Sequence, residues 1–361
     1  MENGITKRQS AMLQGIAILM MVYHHLFSYA ETYASLLPFM QVETVRQIAW
    51  FCKICVGIFA FVSGYGMYTV FSSQRQERFG QGLLVEYRCV LVRILRLYGK
   101  LWLVLLIFKG IDVLILGRSI ALAELPGNLT ALNPTYNGAW WYVEQYAKML
   151  LVLPLLDLLL TRYTLPAEKK KKCLFYGGLT LLGVAALLVG RLWWKPLWEL
   201  LFAVAKSMRI SFLLILLMGY LTARYALYQR MDAWLRRIAG WLPILVAVVL
   251  MILVITIRVK LATDASYAEL DFVFTPLLVY AVLILLAYIP PLCSFLTWWG
   301  HQSTYIWLTH VFFYDWLCRF LRPLIRLDIW VYLAVLLASA AASVLLKGIG
   351  GLVRRMCGRQ R

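Results

Sequence analysis

The chain has 361 residues, of which 62% are hydrophobic and only 15% are charged. A soluble domain is about half apolar and about a quarter charged, so this composition excludes an ordinary water-soluble protein and indicates a polytopic membrane protein. The net charge of +19 comes from 36 Lys and Arg against 17 Asp and Glu. We attribute this excess to cytoplasmic loops that follow the positive-inside rule, and we expect no nucleic-acid partner.

Ten apolar segments are long enough to cross a hydrocarbon core of ~30 Å, which takes roughly 20 helical residues. In chain order the predicted spans are 11–31, 47–71, 90–116, 139–160, 173–190, 209–226, 240–258, 270–289, 294–320 and 329–350. The apolar stretch 193–205 is too short to span, and its tryptophans favour an interfacial or re-entrant piece. The sequence contains no fixed-period repeat and no soluble domain. Residues 1–361 are therefore predicted to form a single all-α transmembrane domain.

The distribution of Lys and Arg predicts the orientation of the bundle. If the N-terminus is inside, the inner loops and tails carry eighteen of these residues and the outer loops carry seven. The positive-inside rule then places both termini in the cytoplasm. The longest polar linkers include residues 117–138, which the turn-forming Pro, Gly and Asn residues predict to be a loop.

The first predicted helix carries a polar stripe. A full charge within a membrane helix costs about 2.5–3.5 kcal/mol on insertion scales, so the ionisable His25 is a candidate functional residue. Gln14 lies eleven positions earlier on the same helix face, roughly 16 Å away along the axis. Histidine moves protons near neutral pH, and we predict that His25 is a catalytic base. The alternative, a histidine hydrogen-bonded to a neighbouring helix, is the preferred interpretation of His24.

The third predicted helix carries two arginines near its beginning, Arg93 and Arg96. Their spacing of three places both guanidinium groups on the same side of the helix. Because arginine matches phosphate oxygens in pairs, the two residues predict a site for an anionic cofactor that arrives from the cytoplasm. The alternative is that both side chains snorkel towards lipid phosphates.

Other polar residues lie in the fourth and ninth predicted helices. Ser303, Tyr305 and His310 bring donors and acceptors into one short stretch, which favours a polar cavity between helices. Glu144 is a candidate orienting carboxylate or substrate ligand, or alternatively a solvated residue at headgroup level. Walker, Rossmann, HExxH and zinc-binding patterns do not occur in the sequence, so we expect no metal.

In this order and at these spacings, the motifs resemble the acyltransferase-three family of integral membrane O-acyltransferases. That family opens with an arginine, ten residues and a catalytic histidine, where this chain has Gln14 and His25. Gln14 is therefore a candidate cofactor-binding residue, with a weaker contact than the arginine of the family would make. An Arg-x-x-Arg motif matches Arg93 and Arg96. The remaining similar segments are 59–65, 141–142, 212–220 and 303–310.

The resemblance implies acyl transfer across a membrane, expected here to be the bacterial plasma membrane. Acetyl-CoA, or another short acyl-CoA, would donate from the cytoplasm, and a hydroxyl of a carbohydrate or cell-envelope glycan would accept at the outer face. His25 would be the base, and Arg93 and Arg96 would hold the CoA. Candidate donors to the oxyanion are His310, Tyr305 and Ser303, and an acyl-histidine route stays open. The oligomeric state stays open as well.

A different class of function is also compatible with these residues. Buried histidines, aspartates and arginines also build proton relays, so the alternative is a proton-coupled transporter or flippase of an envelope precursor.

Overall fold

The protein is helical throughout the part that the computed structural model describes, which comprises residues 4–28, 39–77, 82–162, 209–261, 269–321 and 327–356. Within these ranges the chain forms no β-strand. The α-helices are α1 Lys7–Phe27, α2 Val42–Cys52, α3 Cys55–Glu77, α4 Gly82–Leu114, α5 Leu125–Thr130, α6 Trp141–Arg162, α7 Ile210–Arg224, α8 Leu227–Ile238, α9 Leu242–Leu261, α10 Asp271–Leu286, α11 Pro290–Leu321 and α12 Asp328–Met356.

Every predicted span that falls within the described ranges overlaps a helix, with two differences in detail. The span predicted at 47–71 is broken into α2 and α3 by a turn at Lys53 and Ile54. The predicted loop 117–138 contains the short helix α5, whose Leu129 and Thr130 carbonyls accept hydrogen bonds from side chains of α4. The predictions for 173–190 and 193–205 lie outside the described residues.

Four helical segments of the described chain are long and apolar enough to cross a membrane: Lys7–Phe27, Val42–Gln74, Leu242–Lys260 and Asp328–Leu352. A fifth results if α7 and α8, which meet at a bend of 60°, count as one span. α4 and α11 are also long, with 33 and 32 residues, but carry several polar side chains. The number of ten spans and the cytoplasmic termini stay predictions.

A buried ion pair stabilises the break between α2 and α3. The Arg258 guanidinium donates to both carboxylate oxygens of Asp271, at 2.7 and 3.0 Å, and both side chains are fully buried. Arg258 also donates to the carbonyls of Trp50 and Phe51, at 3.0 and 2.5 Å, in the last turn of α2. Both carbonyls also accept hydrogen bonds from the backbone N–H groups of Lys53 and Ile54 in the turn, so the arginine adds a second donor to each and α9 is held against α2.

Two glycines bring α1 and α11 into backbone contact. A Cβ atom on Gly15 would collide with the Leu296 carbonyl oxygen, and one on Gly300 would collide with the Ala11 carbonyl oxygen. Small residues allow such close approach between membrane helices. The same arrangement occurs between α3 and α7 at Gly64, where a Cβ would collide with the Leu216 carbonyl oxygen. Gly64 therefore allows α3 and α7 to pack closely.

The α1–α11 crossing sets the register of the candidate site. Gly15 and Gly300 are 285 positions apart, and so are His25 and His310, which are also in contact. A constant offset means that the two helices run parallel and in register. Each histidine lies ten residues, or about 15 Å, beyond its glycine along the helix axis.

Candidate functional site

His25 and His310 form a hydrogen-bonded pair. The His25 Nδ1 atom lies 2.6 Å from His310 Nε2, and the two rings are nearly coplanar, with an angle of 5° between them. His310 is buried, whereas His25 is partly exposed. The pair joins two helices that are 285 positions apart, so neither residue alone identifies it in the sequence.

The neighbours of His310 determine which ring nitrogen carries each proton. The Nδ1 atom of His310 lies 3.1 Å from the Ile306 carbonyl oxygen and 2.9 Å from that of Trp307. Because carbonyl oxygens only accept, Nδ1 of His310 is the protonated nitrogen and its Nε2 is an acceptor in the neutral ring. The Nδ1–H group of His25 therefore donates to His310, and the Nε2 lone pair of His25 is available to accept a proton.

His24 has a different environment from its neighbour. Its Nδ1 atom lies 2.7 Å from the Ala49 carbonyl oxygen of α2 and donates to it. This is the hydrogen bond to a neighbouring helix that the sequence predicts for His24.

A cavity of about 730 Å³ lies beside the histidine pair, between α1, α3, α4, α6 and α11. Met21, one turn before His25 on α1, lines it. Trp307, whose carbonyl binds His310, lines it on α11. His25 itself is not among the lining residues, so the histidine pair lies one helical turn beyond this end of the cavity.

One wall of the cavity is cationic. Arg88, Arg93, Arg96 and Lys100, all on α4, line it, and its described lining residues include no carboxylate. Their spacings of five, three and four residues distribute the four side chains over one side of the helix. Polar side chains on a membrane helix are expected to face such a cavity. Because it carries these four cations, α4 is too polar to count as an apolar span by composition, despite its length.

The two predicted arginines have different surroundings. The Arg93 Nε donates to the Tyr146 hydroxyl at 2.7 Å, and its Nη2 lies 3.4 Å from the Ser63 hydroxyl oxygen. Ser63 and Tyr146 bind each other at 2.7 Å, which completes a triangle joining α3, α4 and α6. Arg96 is exposed and has no hydrogen-bond or ion-pair partner among the described residues. Arg93 is thus held in place by the protein, whereas Arg96 is available to a ligand.

The facing wall is polar but uncharged. Gln14 on α1 and Ser303 and Thr304 on α11 line it. In the described part of the chain, none of these three side chains has a hydrogen-bond partner. The structure therefore brings Gln14, Ser303, Arg93 and Arg96 together around one cavity.

Two predicted substrate ligands lie elsewhere. Glu144 pairs with Lys148 and accepts a hydrogen bond from the Gln145 amide at 2.9 Å, and it does not line the cavity. Tyr305 is buried in the packing between α4 and α11, where the Lys100 ammonium lies 5.5 Å from its ring centre. The position of each side chain follows from its helix face, which sequence reasoning did not resolve for these two residues.

Sequence reasoning missed several residues that build the site. Arg88 was assigned to a loop, and Lys100 was not singled out. Ser63 and Tyr146 were included only as members of longer segments. The helical spacing of the four α4 cations is a signal that could have identified Arg88 and Lys100. The Ser63–Tyr146–Arg93 triangle has no such signal, because its members come from three helices.

One comparison with known proteins identifies a family for nearly the whole chain. A family model described as an acyltransferase domain matches residues 11–348, nearly the whole chain. No curated protein and no solved structure matches the chain. The matched range includes the histidine pair and both walls of the cavity, and the chain belongs to the acyltransferase-three family of membrane proteins.

Proposed function

We propose that this membrane acyltransferase moves an acetyl or short acyl group from cytoplasmic acyl-CoA to a hydroxyl of an extracytoplasmic carbohydrate or cell-envelope glycan. The observation that carries the proposal is the anchored His25–His310 pair beside a cavity with a cationic wall. The carbohydrate acceptor and the bacterial plasma membrane rest on the family resemblance.

The charges support a CoA thioester as the donor. CoA carries a pyrophosphate and a 3′-phosphate, together about −4 at neutral pH. Four cations line the cavity without a carboxylate among the described lining residues, which matches that charge. Arg96 is placed to bind phosphate oxygens through its guanidinium fork, and Arg93 presents a guanidinium already oriented by Tyr146.

His25 performs the proton transfers. Its Nε2 takes the proton of the acceptor hydroxyl as the oxygen attacks the thioester carbonyl, a contribution of about 10²–10⁴ in rate. The tetrahedral intermediate then collapses, the carbon–sulfur bond breaks, and the imidazolium returns its proton to the departing thiolate. The products are an ester and free CoA.

His310 assists by holding His25 rather than by binding the oxyanion. Both of its ring nitrogens are already engaged, one by the α11 carbonyls and one by His25. Its acceptor nitrogen stabilises the imidazolium that forms on His25. Of the predicted oxyanion donors, Ser303 lines the cavity and Tyr305 does not.

The test is transfer of labelled acetyl from acetyl-CoA to glycans by the purified protein in proteoliposomes, compared with the variant Arg96→Gln. We expect the wild type to acetylate glycan and the variant to require about tenfold more acetyl-CoA, because a charged hydrogen bond contributes about 1.5–3 kcal/mol. Mass spectrometry of cell-surface glycans with and without the protein identifies the acceptor. Absence of any acetyl transfer or CoA release, together with transport of a labelled glycan precursor, would favour the transporter alternative.

A further inference from the structure

The two walls of the cavity differ in chemistry. Gln14, Ser303 and Thr304 are neutral, whereas the cations all project from α4. Gln14 is partly buried, and within the described residues its amide has no partner. A half-buried amide inside a membrane protein that makes no internal hydrogen bond is well placed to bind a ligand that enters the cavity.

The chemistry of an amide side chain selects its partner. A glutamine offers one carbonyl acceptor and two N–H donors, which complement another amide rather than a phosphate, which only accepts. The arm of CoA between the thiol and the pyrophosphate contains two amides joined by a β-alanine unit. An acyl-CoA in this cavity would therefore need cations for its nucleotide end and neutral donors and acceptors for its arm.

We propose, on the basis of the function proposed above, that Gln14 together with Ser303 and Thr304 binds the amides of the pantetheine arm. Gln14 is then a specificity-determining residue that distinguishes CoA from ligands carrying only its phosphates.

The register of α1 and α11 supports this assignment. With the offset of 285, Ser303 is level with Ile18, four residues beyond Gln14 towards the histidine pair. Four residues are roughly 6 Å along a helix, close to the ~5 Å that separates two amides across an extended β-alanine unit. Ser303 thus lies closer to His25 than Gln14 does, in the direction in which the thioester has to lie.

The experiment measures equilibrium binding of two ligands to the purified protein in detergent, CoA and 3′-phospho-ADP. The second ligand contains the nucleotide phosphates but no amide. We expect Gln14→Leu to weaken CoA binding about tenfold, the effect of losing one or two neutral hydrogen bonds, and to leave 3′-phospho-ADP binding unchanged. Ser303→Ala should have a smaller effect of the same kind, whereas Arg96→Gln should weaken both ligands.

Gln47→Leu is the matched control, because Gln47 is an exposed glutamine on α2 that does not line the cavity. It should change neither affinity. Equal weakening of both ligands by Gln14→Leu and by Ser303→Ala, or no change in CoA binding for either, would overturn the inference. If wild-type protein binds neither ligand, the proposed function itself fails, which is a separate result.

Discussion

Two polar clusters inside the helix bundle differ in how completely they are paired. Around Arg258 and Asp271, both partners are fully buried, and the guanidinium also binds two backbone carbonyls. Around the cavity, by contrast, Gln14, Arg96 and the Nε2 atom of His25 have no partner in the described part of the chain.

We infer that the Arg258–Asp271 cluster stabilises the fold and that the cluster around the cavity serves activity. A buried charge pair that is fully hydrogen-bonded is strongly destabilising to break but has nothing left to offer a ligand. Polar groups that face a cavity without internal partners do little for folding and are available to substrates. Substitutions in the first cluster should therefore change stability, and substitutions in the second should change activity with little effect on stability.

The largest expected effect is on activity, from His25→Ala. Loss of the general base should lower the rate of acetyl transfer by about 10²–10⁴, and the free energy of unfolding should fall less than on loss of a buried charge, because one neutral hydrogen bond to His310 is lost. The control is His24→Ala, an adjacent histidine whose ring binds the Ala49 carbonyl and faces no substrate in the proposed mechanism. Full turnover by a correctly folded His25→Ala protein would remove His25 from the mechanism.

The next effect is on stability, from Asp271→Ala. Removing one partner of a buried pair leaves Arg258 uncompensated, so the free energy of unfolding should fall by about 3–5 kcal/mol. Chemical denaturation in detergent measures this change. Glu43→Ala is the comparison, because the Glu43–Arg46 pair lies on the surface and should contribute little. A similar small loss for both variants would show that the buried pair does not hold α9 against α2.

A smaller effect on activity is expected from His310→Phe. The phenyl ring keeps the shape of the side chain but cannot accept the His25 Nδ1–H, so the rate should fall about 10–100-fold, as for other residues that orient a functional histidine. His310→Gln retains an acceptor near the Nε2 position and should recover part of the activity. His301→Phe, at an exposed position on the same helix, is the control. If Phe and Gln at 310 behave alike, His310 has only a packing role.

The smallest expected effect is on stability, from substitution of alanine for each of two glycines, Gly300 and Gly99. At Gly300 an added Cβ would meet the Ala11 carbonyl oxygen, so Gly300→Ala should destabilise the protein by about 1–3 kcal/mol and misalign the histidine pair. At Gly99 no atom lies within 4 Å of the added Cβ, so the same substitution should stabilise α4 by up to about 1 kcal/mol. A lower unfolding midpoint for Gly300→Ala and a higher one for Gly99→Ala, both relative to wild type, would support the role of the α1–α11 contact in setting the register. Equal shifts would contradict it.

Much of the candidate site was predictable from the sequence because helical spacing is a local property. The offset of eleven that places Gln14 and His25 on one face, and the offset of three between Arg93 and Arg96, follow from 3.6 residues per turn. The long apolar helices in the described ranges were predicted as well, because apolar length is what a membrane requires of a helix, whereas the short helices α5 and α8 were not. The break at Lys53 was missed, since the arginine that stabilises it comes from α9, about 200 residues later.

The sequence alone therefore determined the class of protein, the helices and the faces that carry His25, Arg93 and Arg96. Only the tertiary structure decided which faces meet: it paired His25 with His310, placed Gln14 opposite the α4 cations, and left Glu144 and Tyr305 outside the cavity. The physical reason is that periodicity orients a side chain about its own helix axis, whereas the neighbour it reaches depends on close contacts such as Gly15 against Gly300.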